Sequence, residues 1–484
     1  MIHLRLLVVV IGWVVCVATT VLMLYRLSSK PTWLAFLLSV PGAMFVAACA
    51  GTAWATKGFL GEYRAIRKDD HRKAVRAVLI VALALTGAGT VVEVGLRMAT
   101  VQKPWGQELG TMLLLPRGWE QVTQRYHRVL DSFETTPSYF VEDSLLGWTV
   151  GANRTGEDGL WHSSQEGLRS PTRGVSYSKQ EGSCRVALLG DSFTFGWQGT
   201  FEETWGAHLE ARLGPSCRVL NFAVPGYSIG QMYLRYERDV TPWQPDLVVL
   251  SFTDGAPERG MGIYCFLMMG NWETCPWAAP RFVINHGHLE LLNVPILSPR
   301  DIYRHQAIYD LPFISYDRWY LPWQWEQPGW NLFYYSYLFR FATSRYPLHG
   351  VPRSEVSDEA MRQVNEAIFR TFIALTVKNA TPYLILYLPG RDDYKVPRRE
   401  PYSHRLLRGM DIDFVDATPC LSTVEPGRRF RPVGSHYAPE GERAIADCVL
   451  SMARRALPSA HPVHGKRERA TPSKPHWDKR RGSH

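Results

Sequence analysis

The 484-residue chain reads as an α/β protein with a parallel sheet, preceded by three membrane-spanning helices, and three observations predict this. Short apolar runs alternate with helix patterns after residue 185, a Gly-Asp-Ser turn closes the first of those runs, and three long apolar segments occupy the first hundred positions. The strand candidates are Val186–Leu189, Val219–Ala223, Leu247–Phe252, Tyr383–Leu388 and Asp413–Val415. Helices are predicted over Glu202–Leu213, Ser228–Val240, Asp358–Lys378 and Pro439–Ala456. Met361, Val364, Ile368, Phe372 and Leu375 share one face of the third, and Pro439 stands in the first turn of the last, where no N–H is needed. Strands alternating with helices build a parallel sheet covered on both faces, a three-layer arrangement.

In chain order, the apolar segments cover about 6–25, 33–55 and 75–96. Each is long enough for a hydrocarbon core of roughly 30 Å, which needs about 20 helical residues. The first is either a span or a cleaved signal peptide. The second connection holds Lys57, Arg64, Arg67, Lys68, Arg72, Lys73 and Arg76, whereas the first holds only Arg26 and Lys30. The positive-inside rule then puts the second connection in the cytoplasm and everything after the third span outside, on either reading of the first. Residues 1–100 are thus expected as a multi-pass membrane anchor with a cytoplasmic N-terminus, 101–181 as a connector, 182–457 as the α/β domain and 458–484 as a basic, disordered tail.

Residues 255–350 interrupt the alternation and are too many for a plain loop, so they are expected as an inserted lid or subdomain. Trp319, Tyr320, Trp323, Trp325, Trp330, Phe333, Tyr334, Tyr335 and Tyr337 crowd into its second half. Three uses fit such rings: contact with sugar or acyl groups, a small core of large side chains, or a place at the membrane interface.

The net charge of +9 is concentrated in the tail, whose seven Lys or Arg after residue 465 face only Glu468 and Asp478. The folded body is mildly basic, so no nucleic-acid partner is expected. Six cysteines fall in the exported part, and an even count outside the cytoplasm predicts disulfides. Ser183-Cys-Arg-Val186 and Ser216-Cys-Arg-Val219 each enter a strand, and adjacent parallel strands in matching register would bring Cys184 beside Cys217. Six cysteines allow 15 connectivities, and for the other four the pairs expected, among the alternatives that stay open, are Cys265–Cys275 and Cys420–Cys448. Neither His-x-x-x-His nor Cys-x-x-Cys occurs, so no metal site is predicted, and Gly190 to Gly196 lacks the Gly-Lys-Ser/Thr ending of a phosphate loop. No cofactor is implied, and the sequence does not set an oligomeric state.

The chemistry gathers at the strand ends. In Leu189-Gly-Asp-Ser-Phe-Thr-Phe-Gly196 a serine sits on a tight turn between a buried strand and a helix, at the carboxyl edge where open α/β sheets bind ligands. This stretch resembles the first block of the SGNH (GDSL-type) hydrolases, and its longer form resembles their membrane-anchored bacterial branch. The resemblance implies a flavodoxin-like three-layer fold, Ser192 as nucleophile and Asp191 as a structural brace of the turn. Leu146-Gly-Trp148, Asn153 and Gly167-Leu-Arg169 resemble a short region that precedes the block in that branch, with Ser164 where its Asn stands; they are expected as packing along the sheet edge or as substrate contacts. Leu220-Asn-Phe-Ala-Val-Pro-Gly226 resembles the second block, whose glycine amide joins the oxyanion hole with that of Ser192.

The third block departs from the family pattern. Pro245-Asp-Leu-Val-Val-Leu-Ser-Phe-Thr-Asp-Gly-Ala256 has no Asn, and Thr253 or Gly255 takes its place. Thr253 has a hydroxyl to donate to an oxyanion, whereas ionised Asp254 can only accept and is assigned to support. Gly434-Ser-His436-Tyr-Ala-Pro-Glu-Gly441 resembles the block that supplies the base, so His436 is the candidate general base. The family's orienting Asp three residues earlier is replaced by Val433. The expectation is a Ser-His dyad with a backbone carbonyl holding the second ring nitrogen; Asp416 is either a substitute carboxylate or a supporting residue of the strand end. Together these readings predict an exported serine esterase or O-acyltransferase acting on acylated glycan or lipid of the cell envelope. The absent Asn and Asp support a reading of another class, a catalytically silent module binding envelope polymer or a membrane partner.

Overall fold

The computed structural model describes residues 89–90, 92–103, 106–156, 158–178, 184–268, 275–329, 331–346, 354–395 and 400–457. The predicted spans, save the last residues of the third, and the basic tail lie outside that set. Among the described residues no helix is long and apolar enough to cross a membrane. The chain divides into two compact units, one of Met1–Arg125 with Leu321–Val351 and one of Tyr126–Tyr320 with Pro352–His484.

The second unit holds the sheet. Strands β1 (His162–Ser163), β2 (Arg169–Ser170), β3 (Cys184–Leu189), β4 (Cys217–Asn221), β5 (Leu247–Phe252), β6 (Tyr383–Tyr387) and β7 (Val415–Asp416) lie in the spatial order β7-β6-β5-β3-β4-β2-β1. The five from β3 to β7 are parallel. Side chains alternate between the faces of a strand, and the two faces meet different helices. Val186, Leu188, Leu247 and Val249 pack with Trp205 and Leu209 of α1 (Trp205–Leu213) and with Ile445, Val449 and Ala453 of the C-terminal helix Pro439–Ala456. Ala187, Leu189, Val248 and Leu250 pack with Met232 and Tyr233 of α2 (Ile229–Arg235) and with Val364, Ile368 and Phe372 of α3 (Asp358–Lys378). Every residue of β5 is buried, as a central strand covered on both sides requires.

The elements differ from the sequence reading mainly at their ends. Helix α1 starts at Trp205 rather than Glu202 because the Thr204 hydroxyl accepts the Ala207 N–H at 3.2 Å and caps it there. Helix α2 ends at Arg235 and continues as a wider π-type turn over Tyr236–Val240. The last strand lies at Val415–Asp416 rather than Asp413–Val415. Cys184 and Cys217 face each other in parallel register and form one disulfide, with Cys265–Cys275 and Cys420–Cys448 as the others.

The connector joins the sheet. Strand β2 adds antiparallel to β4 at Arg169 and Asn221. The buried Arg169 guanidinium donates to the carbonyls of Gly199 at 2.9 Å and Leu160 at 3.2 Å. Ser164 accepts the N–H groups of Glu166 and Leu168 at 3.1 and 3.2 Å. These residues line the edge of the sheet as packing, the first of the two uses expected for them.

The stretch 255–350, expected as one insertion, is shared out. Residues 255–320 belong to the sheet's unit, whereas 321–351 belong to the unit of the N-terminal segment. In that first unit Glu93 accepts the N–H groups of Tyr337 and Leu338, both at 2.8 Å, and so joins Ser336 in capping the helix Tyr337–Arg345. Trp325 is buried with its ring edge-on to Trp119 at 6.3 Å. Of the clustered rings, Tyr320 and Trp325 serve as core, while Phe333 and Tyr335 are exposed.

Candidate active site

The turn after β3 is built by its small and polar residues. Asp191 caps the single helical turn Ser192–Phe195, its Oδ1 accepting the Phe193 N–H at 3.1 Å. Gly196 ends that turn at φ +76°, a backbone that favours glycine, and its N–H donates to the Ser192 carbonyl at 3.1 Å. Below the turn, Thr194 and Ser251 share a 2.7 Å hydrogen bond, and a Cβ on Gly190 would lie 2.4 Å from the Thr194 hydroxyl oxygen. The Asn221 amide donates to the Thr194 carbonyl at 2.8 Å from the neighbouring strand. The second carboxylate oxygen of the buried Asp191 receives the Thr253 hydroxyl at 2.8 Å and the Arg259 guanidinium at 2.5 Å. Asp191 is therefore a brace, as the resemblance implies, and both of its oxygens are occupied.

His436 comes from the loop before the C-terminal helix. Phe430 and Tyr437 pair as an isolated bridge, Arg431 N–H donates to the His436 carbonyl at 2.9 Å, and Tyr437 Oη donates to the Pro389 carbonyl at 2.8 Å. The imidazole rests against the Phe193 ring, 4.7 Å between centroids. Its Nε2 lies 2.8 Å from Ser192 Oγ, although the two residues stand 244 positions apart. Its Nδ1 lies 3.1 Å from Oε1 of Gln198. Burial pushes the His436 pKa down to about 4, and the Arg431 charge acts in the same direction against the opposing pull of Asp191. At neutral pH the ring is uncharged and fit to accept a proton.

Three expectations need correction. The second ring nitrogen meets a side-chain amide, Gln198, not a backbone carbonyl. Asp416 is not a substitute carboxylate for His436: its Oδ1 accepts the Thr418 N–H at 2.8 Å, and its other oxygen lies 3.8 Å from His404. Thr253 is not a free oxyanion donor, because its hydroxyl is given to Asp191. Asp254 is supporting, accepting the N–H groups of Tyr402 and Ser403 at 3.2 and 2.7 Å at the start of the helix Tyr402–Gly409. Val433, where the family has Asp, turns its side chain into solvent at 82% exposure.

Two oxyanion candidates remain, the backbone N–H groups of Ser192 and Gly226. Gly226 has φ +81° and follows Pro225, whose carbonyl accepts the Trp148 indole N–H at 3.1 Å. Tyr227 returns a 2.6 Å hydrogen bond to the Trp148 carbonyl, so the turn is pinned on both sides. Among the described residues the backbone N–H groups of Ser192 and Gly226 have no acceptor. Ser192, Gly226 and His436 open onto one cavity of about 530 Å³, also lined by Trp197, Gly255, Arg259 and Trp319. Gly255, the alternative to Thr253 in the third block, thus reaches the site where Thr253 does not. Of the aromatic cluster, Trp319 lines it among the described residues.

Gln198 and Arg259 are the residues that sequence reading missed. Gln198 lies just after the first block, but nothing in its neighbours marks it, since its partners are 235 or more positions away. Arg259 ends the short helical turn Ala256–Arg259 after strand β5, and nothing in its neighbours marks it as the partner of Asp191, 68 positions away.

No family model and no curated protein matches this chain. Solved structures do align with it. TesA shares 12% identity over 56% of this chain and 99% of its own, with a TM-score of 0.30. A putative lipolytic protein of the G-D-S-L family from Desulfitobacterium hafniense shares 14% over 57% and 100%, at 0.28. A catalytic mutant of Axe2, an acetylxylan esterase from Geobacillus stearothermophilus, shares 16% over 57% and 96%, at 0.29.

Proposed function

We propose that the protein is an SGNH-type serine ester hydrolase or acyltransferase working through an acyl-enzyme. The observation that supports this most is the 2.8 Å approach of His436 Nε2 to Ser192 Oγ at the mouth of a cavity. A hydroxyl needs a base within about 3 Å and donors aimed at the developing oxyanion. In this reading the Ser192 hydroxyl proton passes to His436 Nε2 as Oγ bonds to the ester carbonyl carbon. The N–H groups of Ser192 and Gly226 receive the oxyanion. Collapse expels the alcohol, which takes the proton from His436, and water or a sugar hydroxyl then releases the acyl group by the reverse steps.

The substrate class belongs to the proposal as well. Trp197 and Trp319 on the cavity wall suit the face of a sugar ring or an acyl chain. The three apolar segments and the three disulfides support an anchored, exported domain acting on cell-envelope glycan or lipid esters. A second reading, a silent module that binds envelope polymer, is favoured by one observation: the third oxyanion donor of the family is missing, and Thr253 is committed to Asp191. Loss of one such donor costs about 10² to 10³ in rate, which weakens an enzyme without abolishing it. Acetate release from acetylated polysaccharide and hydrolysis of short aryl esters test the proposal. Turnover that disappears with Ser192→Ala is expected; a folded wild type inert on both substrates would favour the silent module.

A further inference from the structure

Gln198 holds His436 by an amide whose orientation is fixed at both ends. Its Oε1 accepts the backbone N–H of His436 at 3.2 Å, and its Nε2 donates to the carbonyl of Val433 at 2.9 Å. A backbone N–H can only donate and a carbonyl can only accept, so the amide cannot be flipped without two repulsive contacts. Oε1 therefore faces His436 Nδ1, 3.1 Å away, and an amide oxygen only accepts. Nδ1 must carry the proton. Nε2 is left with its lone pair pointing at Ser192 Oγ. The loop is shaped for this amide: Gly434 has φ +86°, and a Cβ there would lie 2.4 to 2.5 Å from the Gln198 amide atoms.

From this geometry we infer that Gln198 is the positioning residue of the site, an uncharged replacement for an orienting carboxylate that locks His436 in the tautomer able to take the Ser192 proton. The inference rests on the serine-acylation reading above and deepens it. In the step it governs, the Ser192 O–H bond breaks, its proton binds Nε2, its electron pair goes to the new Oγ–C bond, and Nδ1–H stays on Oε1. An amide aligns the imidazolium that forms without offering it a counter-charge. The charged groups that face the ring are Asp191, itself paired with Arg259, and Arg431, paired with Glu203 at 2.6 Å.

The test uses full-length protein in detergent, with fluorophosphonate labelling rates measured across pH and folding checked by thermal unfolding. Gln198→Glu places a carboxylate on Nδ1, and an opposite charge at that range raises the acid-limb midpoint by about 1 to 3 pH units while the plateau rate is kept or increased. Gln198→Ala lowers the plateau by between about 10-fold and 10⁴-fold, the upper bound being the loss seen when a triad carboxylate is removed. Equal loss in both variants with an unmoved midpoint would overturn the inference, since a merely structural amide predicts that pattern. Nitrogen-15 shifts of the His436 ring separate this from the acylation reading. A protonated Nδ1 and bare Nε2 at pH 7 are expected even if labelling fails, and the opposite tautomer would overturn the inference even if labelling succeeds.

Discussion

Two segments meet at the candidate site, and they are held by different forces. The turn carrying Ser192 is braced by charge: buried Asp191 caps it and is itself matched by Arg259 and Thr253. The His436 ring itself is held by neutral contacts, the Gln198 amide on one side and the Phe193 face on the other, while the ion pair of its loop, Arg431 with Glu203, lies beside it. A buried carboxylate tolerates its position because a guanidinium offsets the loss of water, whereas the imidazole has no such partner and is driven toward its neutral form. The frame of the Ser192 turn is thus costly to break, and the His436 ring is uncharged at neutral pH.

Removing the base tests the neutral side most severely. His436→Ala is expected to lower ester hydrolysis by about 10⁴-fold to 10⁶-fold, as loss of a member of a nucleophile–base pair does, with thermal unfolding little changed. Gly226→Ala comes next, because its φ of +81° is strained for any side chain and its N–H would leave the oxyanion position. A fall of about 10² to 10³ in kcat is expected, with a stability loss of about 1 to 2 kcal/mol read by denaturant unfolding.

Arg259→Met breaks the charged side. It strands the Asp191 carboxylate, which is 1% exposed, and an uncompensated buried charge costs about 3 to 5 kcal/mol in denaturant unfolding. The same measurement on Gln198→Met is expected to show a much smaller loss, and equal losses would erase the contrast. The smallest effect is in pH dependence. Protonated His436 cannot act as a base, so activity should fall as pH drops through about 4 rather than through 6.5. At pH 5 the rate should stay near its plateau, where a base of ordinary pKa would have lost about 30-fold. The sign for stability is parallel: the native ring resists the proton that the unfolded chain accepts below about 6.5, so stability declines from there toward pH 4.

The same contrast explains what could be read from the sequence. The strands and the long helices Asp358–Lys378 and Pro439–Ala456 followed from period and length, because burial on both faces demands unbroken apolar runs. Ser192, Asp191 and Gly226 were legible because each lies in a contiguous turn whose shape depends on neighbouring residues. Cys184 and Cys217 were legible because register is carried by matching sequence on adjacent strands. Gln198 was not, since its role depends on a loop more than two hundred residues later folding over it. Thr253 was misread for a related reason: its nearest acceptor, Asp191, had to be known before its side chain could be assigned, whereas Asp416 lies at the strand end as its supporting reading has it. The division of the 255–350 stretch between two units has no periodic signal at all.

The central claim is that Ser192 is a nucleophile activated by His436, and mapping a covalent adduct tests it most directly. After full-length protein is treated with a fluorophosphonate and digested, the account predicts the phosphonyl mass on the peptide containing Ser192, absent in Ser192→Ala and strongly reduced in His436→Ala. A folded wild type carrying no adduct on that peptide, or one labelled equally well without His436, would contradict it.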